Sequence, residues 1–228
     1  PIGGPGDIDD EPNLISAIQG TADVAAMAGQ TVVVEAIVTG DFQNGDADTF
    51  RNLGGFYLME ELTDRDGNAL TSEGIFAYEG SGMFGTDVNA GDKVRVLGTV
   101  VERFGKTTIE VTEIRIEEAN AVDPLTLAVT TTLPGIDDRE ALESMLVTIE
   151  EPLTFSESFD YEDYQEATLS SGGPVYQYTQ LNTPDAAGNA AYQQMVANRM
   201  ILIEDGHGGA RGDFDPIELP DGSLAGGP

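Results

Sequence analysis

Residues 92–118, DKVRVLGTVVERFGKTTIEVTEIRIEE, carry the clearest folding signal in the chain. In the first half of this stretch apolar residues alternate with polar ones, which is the period of a β-strand with one buried face. A second alternating run follows, and its parity changes once, so we predict a β-bulge near Thr112. Phe104-Gly105-Lys106 separates the two runs and is short enough to be a tight turn. The stretch therefore predicts a long β-hairpin.

Three segments upstream of this hairpin are rich in β-branched and aromatic residues, as strands are: Thr31–Phe42 (TVVVEAIVTGDF), Gly54–Glu61 (GGFYLMEE) and Glu73–Glu79 (EGIFAYE). Five strands, the first of them long and the last two joined by a hairpin, suit a small closed barrel. We therefore predict a mainly β chain whose first half is a five-stranded Greek-key barrel of the oligonucleotide/oligosaccharide-binding (OB) type. Residues 80–91 would replace the helix between the third and fourth strands.

The second half of the chain predicts a β-rich α+β subdomain. A partial second barrel is one architecture that this subdomain could have. Its best helix is Asp185–Arg199, which is rich in alanine and follows Pro184. The ends of the chain are rich in Gly, Pro and Asp and bury little apolar surface. We therefore expect a flexible leader over 1–12, the OB-like barrel over 13–120, the second subdomain over 121–204 and a Gly/Pro-rich linker over 205–228.

The chain is strongly acidic, since 10 Lys and Arg stand against 41 Asp and Glu and give a formal net charge of −31 over 228 residues. Such a surface repels nucleic acid at low salt, because phosphate contacts need Lys or Arg. The charge is tolerated where salt screens it, since the Debye length is about 3 Å at 1 M. We therefore favour a protein secreted into a saline medium over the alternative that the charge serves solubility alone.

Composition excludes several kinds of site. The chain has no cysteine, which excludes a disulfide framework, a thiol nucleophile and a cysteine-ligated metal. It has a single histidine, His207, which excludes any site that needs two imidazoles. No apolar run approaches the length of a membrane-spanning helix, so we expect no membrane partner.

Aromatic and basic residues on the predicted strands form the candidate nucleic-acid site. An OB barrel binds strands through aromatic and Arg side chains on the face of its second and third strands and through neighbouring loops. The alternative is that these aromatic residues belong to the core or to half-exposed parts of the sheet. The candidates are Tyr57, Phe76, Tyr78, Arg95, Arg103, Phe104 and Lys106.

A polar loop between the second and third strands is the candidate metal site. Asp64, Asp66 and Asn68 alternate along it, and Glu73 follows nine residues after Asp64. Oxygen ligands of this kind suit Ca²⁺. The spacing is not that of an EF-hand, and a polar turn whose side chains bond to local backbone is the alternative. Asp46 and Asp48 form a weaker acidic cluster that could join this loop in space.

Several stretches taken together resemble the N-terminal region of the ExeM/NucH-type secreted bacterial nucleases. They are LISAIQG (14–20), AGQTVVVEAIVTGDF (28–42), LGGFYLME (53–60), ALTSEGIFA (69–77), VNAGDKVRVLGTVVERF (88–104) and YQEATLSSGGPVYQYTQ (164–180). The resemblance implies an OB-like, non-catalytic region that precedes a metal-dependent domain of the endonuclease/exonuclease/phosphatase class, which would use Mg²⁺ or Ca²⁺. It implies no catalytic residue in these 228 residues. We therefore expect the chain to be a piece of a longer protein whose C-terminal catalytic domain is its partner.

Three functions remain open from the sequence. The first is that the chain is the accessory region of an extracellular nuclease and engages or positions DNA. The second is that it is a structural spacer or interaction module with no nucleic-acid ligand, which calcium could stabilise. The third function is catalysis on a polysaccharide by two opposed carboxylates, a separation that sequence cannot show.

Overall fold

The computed structural model describes residues 6–43, 52–80, 85–157, 161, 166–204 and 206. The chain divides into two compact units. Unit 1 comprises Pro1–Thr130 with Asp138–Thr148, and unit 2 comprises Thr131–Asp137 with Ile149–Pro228. The first stretch of unit 1 thus runs ten residues past the predicted boundary at residue 120, and a later segment of the chain also belongs to this unit.

Unit 1 contains the predicted barrel. Its strands are β1 (Thr31–Phe42), β2 (Gly55–Met59), β3 (Gly74–Tyr78), β4 (Lys93–Arg103) and β5 (Lys106–Glu118). They form a closed barrel in the order β1-β2-β3-β5-β4, with β1 also paired to β4. The β3–β5 pair is parallel and the other pairs are antiparallel. The prediction of a mainly β fold with a five-stranded Greek-key barrel is confirmed.

Two local features let the barrel close. Leu97 of β4 pairs with Glu113 while the next residue, Gly98, pairs with Val111, so Thr112 is the extra residue of the predicted bulge. A β-carbon on Gly98 would lie 2.4 Å from the carbonyl oxygen of Glu110. Glycine therefore allows β4 and β5 to approach closely at the bend.

The barrel core is filled by alternate strand residues. A short helix, α1 (Ile15–Gln19), adds two fully buried isoleucines to this core. The N-terminal end of α1 is held by a buried carboxylate, because the backbone N–H of Ile15 donates to Glu60 Oε1 at 2.6 Å. The fully buried barrel residues include Val32, Val34, Ala36, Val38, Phe56, Leu58, Ile75, Val94, Val96, Val100 and Ile109.

The prediction of a flexible leader over 1–12 is wrong for residues 6–12, and residues 1–5 lie outside the described part. Ile8 is 4 % exposed and packs with Val33 and Leu97 on the outside of the barrel. Asp9 forms an ion pair with Arg115 at 2.6 Å. One buried isoleucine and one ion pair thus anchor a segment whose composition alone suggested no order.

Unit 2 contains a three-stranded antiparallel sheet of β8 (Leu153–Glu157), β9 (Ala167–Ser171) and β10 (Met200–Ile203), in the order β10-β9-β8. Asp185 caps the predicted helix, since its carboxylate accepts from the backbone N–H of Gly188 at 2.6 Å. Within the described residues this sheet is open, and the partial second barrel stays a prediction. The other elements among the described residues are β6 (Val129–Thr131) paired with β7 (Val147–Ile149), α2 (Tyr178–Leu181), α3 (Ala186–Arg199) and 3-10 turns at Pro124–Leu127, Ile136–Asp138 and Glu140–Leu142.

Candidate nucleic-acid interface

Six of the seven residues predicted to contact nucleic acid lie on one surface of the barrel. Tyr57 on β2 is the register partner of Phe76 on β3, and their ring centroids are 4.7 Å apart. The β4–β5 hairpin places two cations against the rings of this sheet, one at each side of its turn. We call this set of side chains the cation–aromatic surface. It comprises Tyr57, Phe76, Tyr78, Arg103, Phe104 and Lys106.

Lys106 is the feature that sets this surface apart from the rest of the molecule. Its Nζ lies 4.2 Å from the centroid of Phe76 and 4.9 Å from that of Tyr57, and it donates to the Tyr57 hydroxyl at 3.1 Å. Across the described residues, no carboxylate lies within ion-pair distance of it. The other lysine, Lys93, binds Glu35 at 3.0 Å and Glu61 at 2.7 Å. Lys106 therefore keeps donors for an anionic ligand.

Arg103 extends the surface toward the turn of the hairpin. Its guanidinium carbon lies 3.7 Å from the centroid of Tyr78 and 5.7 Å from that of Phe104. Its ion pair with Glu110 is long, at 3.8 Å. A guanidinium stacked on a ring presents both a flat face and free N–H donors to a ligand.

Phe104 occupies a position that costs the fold free energy. Arg103 and Lys106 are register partners, so Phe104 and Gly105 form a two-residue turn, with φ of 55° and 78°. This turn favours Asn-Gly, because both residues need positive φ, and a non-glycine residue there loses about 1 kcal/mol. The residue is 101 % exposed, so it gains no burial in return. Strain of this kind on an exposed aromatic residue is typical of functional sites.

Arg95 lies apart from the other six candidates. Its guanidinium donates to the carbonyl oxygen of Asp10 and lies 3.5 Å from Glu35. The side chain is only 14 % exposed. The residue holds the N-terminal segment against the barrel, a role that sequence reasoning missed because that segment was predicted to be flexible.

A segment of unit 1 that sequence reasoning placed elsewhere forms one wall of a groove beside this surface. We call residues 138–148 the strap. The groove measures about 440 Å³ and lies between the strap residues Ser144, Met145 and Leu146 and the barrel residues Thr39, Gly40, Phe42, Tyr57 and Lys106. Phe42, which was not among the predicted site residues, packs edge-on against Tyr57 at 5.8 Å.

Side-chain hydrogen bonds hold the strap on the barrel. Ser72 Oγ donates to the carbonyl oxygen of Glu143 at 2.6 Å, and the carboxylate of Glu143 accepts from the backbone N–H of Thr107 at 2.8 Å. Burial raises the pKa of Glu143 to about 7, although the hydrogen bond from Thr107 opposes this rise. The strap also passes close to β3, because a β-carbon on Gly74 would lie 2.6 Å from the carbonyl of Ser144.

The predicted metal loop is a network of local hydrogen bonds. Asp66 accepts from the backbone N–H of Asn68 at 2.7 Å and from Thr71 Oγ1 at 3.0 Å, and the first of these bonds holds the pKa of Asp66 below its ordinary value. Glu73 accepts from the backbone N–H of Asp66 at 3.0 Å, and burial raises the pKa of Glu73. Asp64 has no side-chain hydrogen bond or ion pair among the described residues.

This geometry corresponds to the polar turn that the sequence left open. Among the described residues, no group of three or more Asp, Glu or His side chains converges as a metal site would require. Asp46 and Asp48 lie outside the described residues. Calcium binding by Asp64, Asp66, Asn68 and Glu73 therefore stays a prediction, and no step of the proposed function depends on it.

Comparisons with known proteins give no family for this chain. No family model and no curated protein matches it. Among solved structures, the chain is similar to "OBody AM1L10 bound to hen egg-white lysozyme", with 18 % identity and a TM-score of 0.31 over 50 % of this chain and 98 % of that one. It is also similar to asparaginyl-tRNA synthetase from Pyrococcus horikoshii, with 14 % identity and a TM-score of 0.25 over 41 % of this chain and 21 % of that one. These values are too low to indicate a shared family or function.

Two further observations bear on the predictions from sequence. Among the described helices, none has the length and apolarity that crossing a membrane requires. His207 lies outside the described residues. The resemblance to the ExeM/NucH-type nucleases, the secreted location and the DNA partner stay predictions.

Proposed function

We propose that this chain is a non-catalytic region of an extracellular nuclease and that its barrel engages single-stranded DNA through the cation–aromatic surface. The observation that carries the proposal is Lys106, an ammonium group without a carboxylate partner among the described residues, held over two aromatic rings in a chain of net charge −31. The partner of this region would be the C-terminal catalytic domain of the longer nuclease, and Mg²⁺ or Ca²⁺ would belong to that domain.

The chemistry of the surface favours single strands over duplexes. Unpaired bases stack on aromatic side chains whatever their sequence, and each stacked base contributes about 1–3 kcal/mol. In a duplex the faces of the bases are covered by their neighbours. Phe104, which is fully exposed at the tip of the hairpin, suits an unpaired base.

The net charge sets an unusual condition on binding. An ordinary protein loses affinity for single strands steeply as salt rises, with a slope of about −0.7 per phosphate contact. Here only two cations of the surface, Arg103 and Lys106, would contact phosphates, so the loss of affinity with rising salt from these contacts should be small. Screening of the remaining acidic surface acts in the opposite direction. We therefore expect an affinity that changes little, or rises, as salt increases.

The substitution Phe104→Asn tests the proposal. Asparagine tolerates positive φ, so we expect the free energy of unfolding to rise by about 1 kcal/mol. The affinity for a labelled deoxythymidine oligonucleotide should fall about fivefold, because one stacking face is lost. Fluorescence anisotropy between about 0.1 M and 1 M NaCl, with and without Ca²⁺ or Mg²⁺, measures the affinity. Thermal melting measures the stability.

Leu125→Asn is the matched control, since Leu125 is an exposed apolar residue in the 3-10 turn Pro124–Leu127 and lies outside the surface. It should leave the affinity unchanged. Absence of saturable binding by the unmodified chain in every salt and metal condition would contradict the proposal. That result would favour the spacer or interaction module.

A further inference from the structure

The groove between the strap and the barrel has the walls of a site for a flat ligand. Its barrel side includes the aromatic residues Phe42 and Tyr57, and its strap side includes the apolar residues Met145 and Leu146. Its volume of about 440 Å³ is in the range of pockets that hold drug-sized molecules. The groove therefore offers apolar contact on two sides, which the open part of the cation–aromatic surface does not.

Lys106 supplies the charged group of the groove. The ammonium of Lys106 has no carboxylate near it among the described residues, as shown above. A cation without a carboxylate partner between apolar residues indicates a ligand with a negative charge.

The strap is fixed before any ligand arrives. Glu143 is bonded through its side chain to Thr107 and through its carbonyl oxygen to Ser72. The next residue, Ser144, has a φ of 59°, a conformation that non-glycine residues seldom adopt. The backbone N–H of Leu146 then lies 3.0 Å from the sulfur of Met59. A preformed groove binds its ligand with little ordering cost.

We infer that the strap groove holds a single nucleotide, with its phosphate on Lys106 and its base between the aromatic wall and the strap. This inference rests on the proposed function, because it places one nucleotide of the bound strand in the groove while its neighbours stack on the open surface toward Phe104. The ligand class is a nucleoside monophosphate, since the site combines apolar walls for a planar base with a cation for a phosphate. It requires the strap as well as the barrel.

The substitution Gly74→Ala tests the role of the strap, because the new β-carbon would lie 2.6 Å from Ser144 and 2.8 Å from the backbone nitrogen of Met145. Gly74 itself lies outside the groove and the cation–aromatic surface. The probes are thymidine 5′-monophosphate, thymidine and inorganic phosphate. Binding of each probe is measured by ¹⁵N chemical-shift titration of the full chain. We expect the monophosphate to bind about fivefold or more tightly than either fragment, and Gly74→Ala to remove this preference.

A second variant guards against misfolding of Gly74→Ala. Met145→Ala removes part of the strap wall and should weaken the monophosphate about fivefold, while its control, Leu125→Ala, should not. Two results would overturn the inference and leave the proposed function standing. In the first, the oligonucleotide binds the unmodified chain but the monophosphate does not. In the second, both strap variants bind the monophosphate as tightly as the unmodified chain does. If the monophosphate binds in the groove and the oligonucleotide does not bind at all, the nucleotide site is upheld and DNA engagement fails.

Discussion

Replacing Lys106 with methionine should reduce the affinity of the chain for a single-stranded deoxythymidine oligonucleotide about tenfold or more. A charge-assisted hydrogen bond to a phosphate contributes about 1.5–3 kcal/mol, and tenfold in affinity corresponds to about 1.4 kcal/mol. Methionine retains apolar contact with the rings of Tyr57 and Phe76, so the barrel should keep its stability. Fluorescence anisotropy at a salt concentration of about 0.5 M measures the affinity, and thermal melting checks the fold.

The control for this variant is Arg115→Met, which makes the net charge more negative by the same one unit. Arg115 lies on β5 and binds Asp9 and Glu117 rather than the cation–aromatic surface. It should reduce the affinity by much less than Lys106→Met does. Equal losses in the two variants would mean that overall charge governs binding, and an unchanged affinity in Lys106→Met would remove the lysine from the site.

Replacing Glu60 with glutamine should stabilise the fold by about 3 kcal/mol at about pH 8 and leave it almost unchanged below about pH 4. Glu60 is 1 % exposed, and burial raises its pKa to about 7 in the fold from an ordinary value of 4.5. Glutamine keeps the side-chain oxygen that accepts the hydrogen bond of Ile15 but carries no charge. Denaturant unfolding at a series of pH values measures the difference.

The sign follows from the direction of the shift. At low pH the carboxyl group is protonated in both states, so its charge has no effect on stability. As pH rises above 4.5 the unfolded chain loses this proton first, and the fold is penalised increasingly until the folded pKa of about 7 is passed. Glu113→Gln, at an exposed position on β5, controls for the change in net charge. A gain from Glu60→Gln that is equal at both ends of the pH range would contradict this account.

The barrel could be predicted from sequence because its signals are local. The alternation over 92–118 and the single change of parity near Thr112 specify the hairpin and its bulge within one stretch of chain. The cation–aromatic surface could be predicted for the same reason, since the pairing of neighbouring strands places Tyr57 beside Phe76 and Arg103 beside Lys106. The barrel needed only strand period and turn length, whereas the candidate site also needed the face by which OB barrels bind strands.

What the sequence did not predict depends on contacts between distant residues. Arg95 donates a hydrogen bond to the carbonyl oxygen of Asp10 in the N-terminal segment, and the alternation of residues along β4 cannot show this contact. The strap joins unit 1 through bonds from Ser72 and Thr107 to Glu143, which are 71 and 36 residues apart in sequence. The groove, and the place of Phe42 in its wall, exist because the strap packs back against the barrel. Gly74 lies where the strap crosses β3, and a side chain there would clash with the backbone of Ser144 and Met145.

The most direct test of the central claim is to map where a single strand contacts the chain. Titration of the ¹⁵N- and ¹³C-labelled chain with a deoxythymidine oligonucleotide at high salt should shift the signals of Tyr57, Phe76, Phe104 and Lys106 together, with one saturation curve. Signals of unit 2, such as those of α3, should stay in place. Saturable shifts confined to unit 2, or no saturable shift of the four barrel residues, would contradict the claim that the cation–aromatic surface binds DNA.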